Sequence, residues 1–136
     1  MQKRGPRSAF TRLSVLKSMY TIHKEYHFSA SHQLAYLPDE HPCSRMHGHN
    51  YIVEVELQGE ELNEYGFVQD YRDLDPLKKY IDDTLDHRHL NDVLGERGTT
   101  AEQIAKFLFD WCKKTWPQTV AVRVRETPKT CAEYRA

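Results

Sequence analysis

The chain has 136 residues, with 19 lysines and arginines against 20 aspartates and glutamates and a formal charge of −1. That length supports one core but does not divide comfortably into two, and a near-neutral balance lacks the basic excess of a nucleic-acid binder. No stretch approaches the roughly 20 apolar residues of a membrane span, so neither a membrane nor nucleic acid is an expected partner.

Residues 1–18 stand apart: Lys3, Arg4, Arg7, Arg12 and Lys17 are unopposed by any acid, with Ser8 and Ser14 between them. The pattern resembles a weak targeting peptide. The preferred reading is a disordered extension, with Met19 opening the folded domain over residues 19–136. Without those five cations the domain carries 14 basic against 20 acidic residues and is mildly acidic. Three scattered cysteines, Cys43, Cys112 and Cys131, fit a reducing, cytoplasmic setting better than a secreted disulfide scaffold.

From Tyr20 to His32 the even positions Ile22, Tyr26, Phe28 and Ala30 are apolar, a period-two pattern that predicts a strand with one buried face and gives His32 the parity of that face. Pro38, Asp39, Pro42 and Ser44 then predict a loop carrying Cys43. A second strand is expected from about Gly48 to Gly59, with Tyr51, Val53, Val55 and Leu57 on one face, and His47 and His49 share their parity. Asn50, Glu54, Glu56 and Gln58 fall on the other. The short apolar piece Gly66 to Val68 is read as a third strand. Asp75 and Pro76 open a helix whose buried stripe is Leu77, Ile81 and Leu85.

A capping box, Thr100 with Gln103 or Thr99 with Glu102, precedes Ile104, Phe107, Leu108 and Trp111 at helical spacing, in a helix expected to stop near Trp116 and Pro117. A last strand places Val120, Val122 and Val124 on one face and Arg123 and Arg125 on the other. Glu126 then takes the parity of the valines, where a carboxylate needs a partner.

His47-Gly48-His49 is the sharpest local feature, because alternate strand residues place two imidazoles on one side, where both reach one metal ion. His32 supplies a third nitrogen if the first two strands pair. Three histidines with one open position suit catalytic zinc. Cys43, four residues before His47, is either a fourth ligand or a reactive thiolate acting as base, and spacing alone does not decide between them. Asp86 precedes His87, so an acid stands beside an imidazole that it can orient. Glu126 is either internally salt-bridged, exposed at a strand end, or a bidentate acceptor for a ligand with adjacent N–H groups.

Five blocks, His-Phe-Ser-Ala-Ser-His (27 to 32), Cys-Ser-Arg-Met-His-Gly-His-Asn (43 to 50), Leu-Asp-His-Arg-His-Leu-Asn-Asp (85 to 92), Thr-Thr-Ala-Glu-Gln (99 to 103) and Val-Arg-Glu-Thr (124 to 127), together resemble the 6-pyruvoyltetrahydropterin synthase superfamily in order and spacing across about residues 19 to 135. The resemblance implies an α+β tunnelling fold (T-fold), an antiparallel sheet with two helices on one face. It also implies barrels assembled into a homohexamer of two trimers, with active sites between subunits. By the same resemblance His32, His47 and His49 are ligands of Zn2+, Cys43 is the general base, Asp86 and His87 form its relay, and Glu126 anchors the pterin ring.

The interval of three residues between Cys43 and His47, and the block at 85 to 92, look like the bacterial carboxytetrahydropterin branch of queuosine biosynthesis. The implied reaction takes 7,8-dihydroneopterin triphosphate to 6-carboxy-5,6,7,8-tetrahydropterin, acetaldehyde and triphosphate. The alternatives are 6-pyruvoyltetrahydropterin formation and a non-catalytic zinc- or pterin-binding protein. Gly98-Thr99-Thr100 departs from the family's usual Asn-Pro-Thr, and residues 1–18 match nothing in it.

Overall fold

Strand β1 (Tyr20–His32) pairs antiparallel with β2 (His47–Gly59) along its whole length, from Tyr20↔Gly59 to His32↔His47. Strands β3 (Thr119–Arg125) and β4 (Ala132–Arg135) complete a four-stranded antiparallel sheet in the order β1-β2-β3-β4. These elements come from a computed structural model that describes residues 17–136; the disorder expected of residues 1–18 falls, for the first 16, outside the described residues.

The alternation read from sequence is the cause of the layering. Tyr26, Phe28, Ala30 and His32 of β1 are buried on one face, with Tyr51, Val53, Val55 and Leu57 of β2 and Val122 and Val124 of β3. Helices α1 (Asp75–Thr84) and α3 (Ala101–Thr115) cover that face, burying Leu77 and Ile81 from one and Ile104, Ala105, Leu108 and Cys112 from the other. Truncating a fully buried leucine such as Leu108 to alanine would cost about 2–5 kcal/mol. A short helix, α2 (Leu90–Leu94), lies between them in the chain. No helix among the described residues is long and apolar enough to cross a membrane.

Helix starts follow the sequence signals. Thr100 caps α3: its side chain accepts from Gln103 N–H, while Gln103 Oε1 accepts from Thr100 N–H at 3.0 Å. The other candidate, Thr99, is turned inward and fully buried.

Two expectations fail. Residues 66–68 form no strand: Asn63 Oδ1 accepts from the N–H groups of Tyr65 and Phe67, and Asn63 N–H donates to Phe67 O, folding the segment into a turn with Gly66 at φ 86°. Val120 does not share the core face fully, because the β2–β3 register shifts between Glu56 and Leu57 and places Thr119 opposite Leu57. Thr119 is fully buried there, its hydroxyl donating to Trp116 O at 2.8 Å, and Val120 is left only half-buried.

Candidate metal centre and relay

The register that ends at His32↔His47 brings three imidazoles together where β1 stops and β2 starts. One ring nitrogen from each of His32, His47 and His49 lies within 4.8 Å of the others, and among the described residues this is the group able to hold a metal ion. His32 is 1% exposed. Its Nδ1 lies 2.7 Å from Thr99 O, and His47 Nδ1 lies 2.7 Å from Arg45 O. A carbonyl only accepts, so each Nδ1 carries its ring's proton and each Nε2 presents a lone pair.

Those two Nε2 atoms stand 2.9 Å apart. Two lone pairs at that distance repel unless a cation lies between them. Burial pushes the pKa of His32 down, against the pull of Thr99 O, and burial also lowers that of His49. Neutral imidazole is the metal-binding form. Locked tautomers, converging lone pairs and nitrogen-only donors therefore fit zinc or a similar borderline metal.

Glu126 follows β3 directly and, as its parity requires, turns toward this cluster: its Oε2 is 2.8 Å from His49 Nε2 and 3.9 Å from His32 Nε2. A recess of about 280 Å³ adjoins it, lined also by Ala101, Glu102, Val124, Thr130 and Cys131. Tyr51 stacks on Phe28 with ring centroids 4.7 Å apart and lies 5.4 Å from the His49 ring, forming the wall behind the histidines.

Cys43 sits on a 3-10 turn, Pro42–Ser44, in the loop between β1 and β2. That loop is held by Leu34 N–H donating to Cys43 O at 2.9 Å and by Gln33 Nε2 donating to Ser44 O at 2.9 Å. The thiol is half-buried and lies outside the metal-holding group.

Asp86 and His87 lie elsewhere. His87 N–H donates to Ser29 O at 2.7 Å and Ser31 N–H to Arg88 O at 3.1 Å, so residues 87–89 add to the free edge of β1. Asp86 accepts from Ser29 N–H at 2.9 Å and, through its other oxygen, from His87 Nδ1 at 2.8 Å. The Ser29 N–H, and then His87, hold its carboxyl below the usual range despite some burial. His87 has φ 57°, a conformation that costs a non-glycine residue energy and that collects at functional sites. Its ring borders a cleft of about 450 Å³ with Ser29, Ser31 and Asn50, whose strand parity is that of the uncovered face. His49 of the histidine cluster lines the same cleft. No hydrogen bond or ion pair among the described residues joins the Cys43 thiol to His87.

Sequence reasoning named every histidine of the cluster but missed what fixes them. Thr99 acts through its carbonyl, which leaves no side-chain signal. Asn91 clamps the residue after His32, accepting from Gln33 N–H at 3.0 Å and donating to Gln33 O at 2.8 Å. Its place in the block at 85 to 92 was the available hint.

Comparisons with known proteins bear on the family and the fold. The family model for 6-pyruvoyl tetrahydropterin synthase matches residues 21–136. A Synechocystis protein named 6-carboxy-5,6,7,8-tetrahydropterin synthase is 37% identical over 85% of this chain and 93% of its own. A Bacillus subtilis protein of the same name is 34% identical over 85% of each. The structure of Caenorhabditis elegans 6-pyruvoyl tetrahydropterin synthase superposes with a TM-score of 0.77 at 29% identity, covering 88% of this chain and 97% of that one. With its antiparallel sheet, helical layer and clustered histidines, the chain belongs to the 6-pyruvoyl tetrahydropterin synthase family.

Proposed function

We propose that the protein is a zinc-dependent, cytoplasmic lyase that converts 7,8-dihydroneopterin triphosphate to 6-carboxy-5,6,7,8-tetrahydropterin, acetaldehyde and triphosphate, a step of 7-deazaguanine (queuosine) biosynthesis. The observation that carries this reading is the trio of His32, His47 and His49, with two Nε2 lone pairs 2.9 Å apart and both Nδ1 protons committed to carbonyls. The product is taken from the bacterial relatives named for it.

Zinc, when bound, supplies Lewis acidity to substrate hydroxyl oxygens and so acidifies neighbouring C–H bonds. The chain's own groups do the rest. Thr99 O and Arg45 O orient the rings of His32 and His47. Cys43, half-buried on its turn, moves protons as a thiolate. Asp86 fixes the Nδ1–H tautomer of His87 and leaves its Nε2 free to exchange a proton. Glu126 offers two oxygens to adjacent N–H groups of the pterin ring.

The resemblance to this family supports association of copies, here a homohexamer of two trimers, in which Asp86 and His87 of one subunit serve Cys43 of another.

The test is incubation of purified, zinc-loaded protein with 7,8-dihydroneopterin triphosphate, with products identified by mass spectrometry beside a Cys43→Ala control. Carboxytetrahydropterin and acetaldehyde, absent in the control, are the expected products. The likeness to the Caenorhabditis elegans structure favours a second reading, 6-pyruvoyltetrahydropterin formation, which the same experiment identifies by its product. No turnover by metal-loaded protein would instead favour a non-catalytic zinc- and pterin-binding role.

A further inference from the structure

At the end of the sheet remote from the histidines the surface turns apolar. Tyr20 pairs with Gly59 where β1 starts and His32 with His47 where it ends, about 40 Å further along the strand. Around the first pair a groove of about 330 Å³ is lined by Tyr20, Leu62, Phe67 and Tyr71, and Tyr65 stands beside Phe67 with ring centroids 6.4 Å apart. These five side chains are between 40% and 73% exposed. A contiguous apolar surface left open on a folded chain marks a place where something docks.

Two further observations say what docks there. The groove has an acidic rim, because Glu60, Glu61 and Glu64 are all exposed on the segment that carries Leu62 and Phe67. Lys17, the first described residue, pairs with Glu60 at 2.9 Å, so the chain preceding it starts from that rim. Glu61 and Glu64 form no ion pair among the described residues. The residues that precede Lys17 have the matching character: residues 10–16 read Phe-Thr-Arg-Leu-Ser-Val-Leu, and residues 1–18 hold five cations and no acid. Seven extended residues span up to about 25 Å, enough to cross the groove.

We propose that the groove is the docking site of this chain's own residues 10–16, with Phe10, Leu13, Val15 and Leu16 against the aromatic wall and Arg12 facing Glu61 and Glu64. The tether favours this occupant over a second copy. A segment anchored beside its site has an effective concentration of about millimolar, which a separate molecule must exceed to displace it. Docking gives the basic extension a use at the end of the sheet opposite the metal centre, and it does not depend on the reaction proposed above.

The test follows amide hydrogen exchange by mass spectrometry in the full-length protein, in Phe10→Ser/Leu13→Ser and in Glu61→Lys/Glu64→Lys. In the parent, residues 10–16 should exchange about tenfold or more slowly than an open chain. Both variants should bring residues 10–16 close to the open-chain rate and should speed exchange at residues 60–71, while residues 47–52 at the metal end keep the parent's rate. Raising the salt concentration should weaken the parent's protection in the same direction, since the rim contacts are screened. Open-chain exchange of residues 10–16 in the parent overturns the proposal. So does protection of residues 60–71 that survives the first variant and fades on dilution, which would assign the groove to a second copy. Equal acceleration at residues 47–52 would report general loosening and also overturns it. A Leu13→Cys/Tyr65→Cys protein separates a chain's own segment from a neighbour's: the disulfide joining these two positions, identified by peptide mass spectrometry, should run at monomer size on a denaturing gel. A dimer-sized product carrying that bond would mean exchange of segments between copies and overturns docking within one chain.

Discussion

His32 Nε2 and His47 Nε2 lie 2.9 Å apart although both rings have spent their Nδ1 protons on backbone carbonyls. The folded chain therefore brings together two acceptors that need a cation between them, so metal binding, as proposed, is expected to be coupled to folding. Stripping the metal is expected to lower the thermal unfolding midpoint. Restoring zinc to a thousand times its Kd should return about 4 kcal/mol. His47→Ala should abolish both metal retention and that zinc-dependent gain, measured by metal analysis and differential scanning fluorimetry.

Cys43→Ala separates ligand from base. The thiol is absent from the metal-holding group and rides on a turn fixed through its backbone, with Leu34 N–H donating to Cys43 O. The variant is expected to keep its zinc and its fold while losing turnover. Loss of zinc along with activity would instead make Cys43 a ligand.

Asp86→Asn tests the proposed relay. An asparagine oxygen can still accept from Ser29 N–H, so the docking of residues 87–89 on β1 survives. Its NH2 group cannot accept from His87 Nδ1, and the imidazole loses its fixed tautomer. By comparison with the aspartate of serine-protease triads, turnover should fall by roughly 10² to 10⁴-fold. KM and metal content should stay near those of the parent, as steady-state kinetics and metal analysis would show.

Much of this site is legible in the sequence because strand parity is a rigid rule. His32, His47 and His49 fall on the face of Phe28, Tyr51 and Val53, and Glu126 falls on the face of Val124. What parity does not carry is anything decided by neighbours. The bulge at Glu56 and Leu57 that displaces Val120 depends on the β2–β3 pairing, and the turn at residues 63–67 depends on one asparagine side chain. Thr99 contributes a carbonyl, which no residue type announces. The burial of Glu56, at 3% exposed, is likewise invisible until Arg123 and Arg135 close over it from β3 and β4.

Glu56 links stability to pH. Burial opposes its ionisation, but hydrogen bonds and charge from Arg135 and Arg123 outweigh that and hold its pKa at about 2, against 4.5 in an open chain. Because the folded carboxyl ionises at lower pH than the unfolded one, its contribution is complete above about pH 4.5 and is lost as pH falls toward 2. Glu56→Gln removes the charge at every pH and is expected to destabilise the protein by about 2 kcal/mol at neutral pH. The same substitution should flatten the acid limb between those values. Urea unfolding of both proteins at several pH values would measure this, and parallel acid limbs would show that other carboxylates set it.

Tyr51 offers a prediction in the opposite direction. Its side chain is fully buried, its ring stacks on Phe28 at an interplanar angle of 9°, and its hydroxyl has no hydrogen-bond partner among the described residues. Burial, and then the negative charge of Glu126, raise its pKa and keep the phenol neutral. An unsatisfied buried hydroxyl costs about 1–3 kcal/mol, whereas the ring contributes packing that phenylalanine reproduces. Tyr51→Phe is therefore expected to leave the midpoint of metal-loaded protein unchanged or to raise it, with a gain of about 1 kcal/mol. A marked loss of stability would mean that the hydroxyl gains an acceptor once metal is bound, and zinc titration of the variant would then register the same loss.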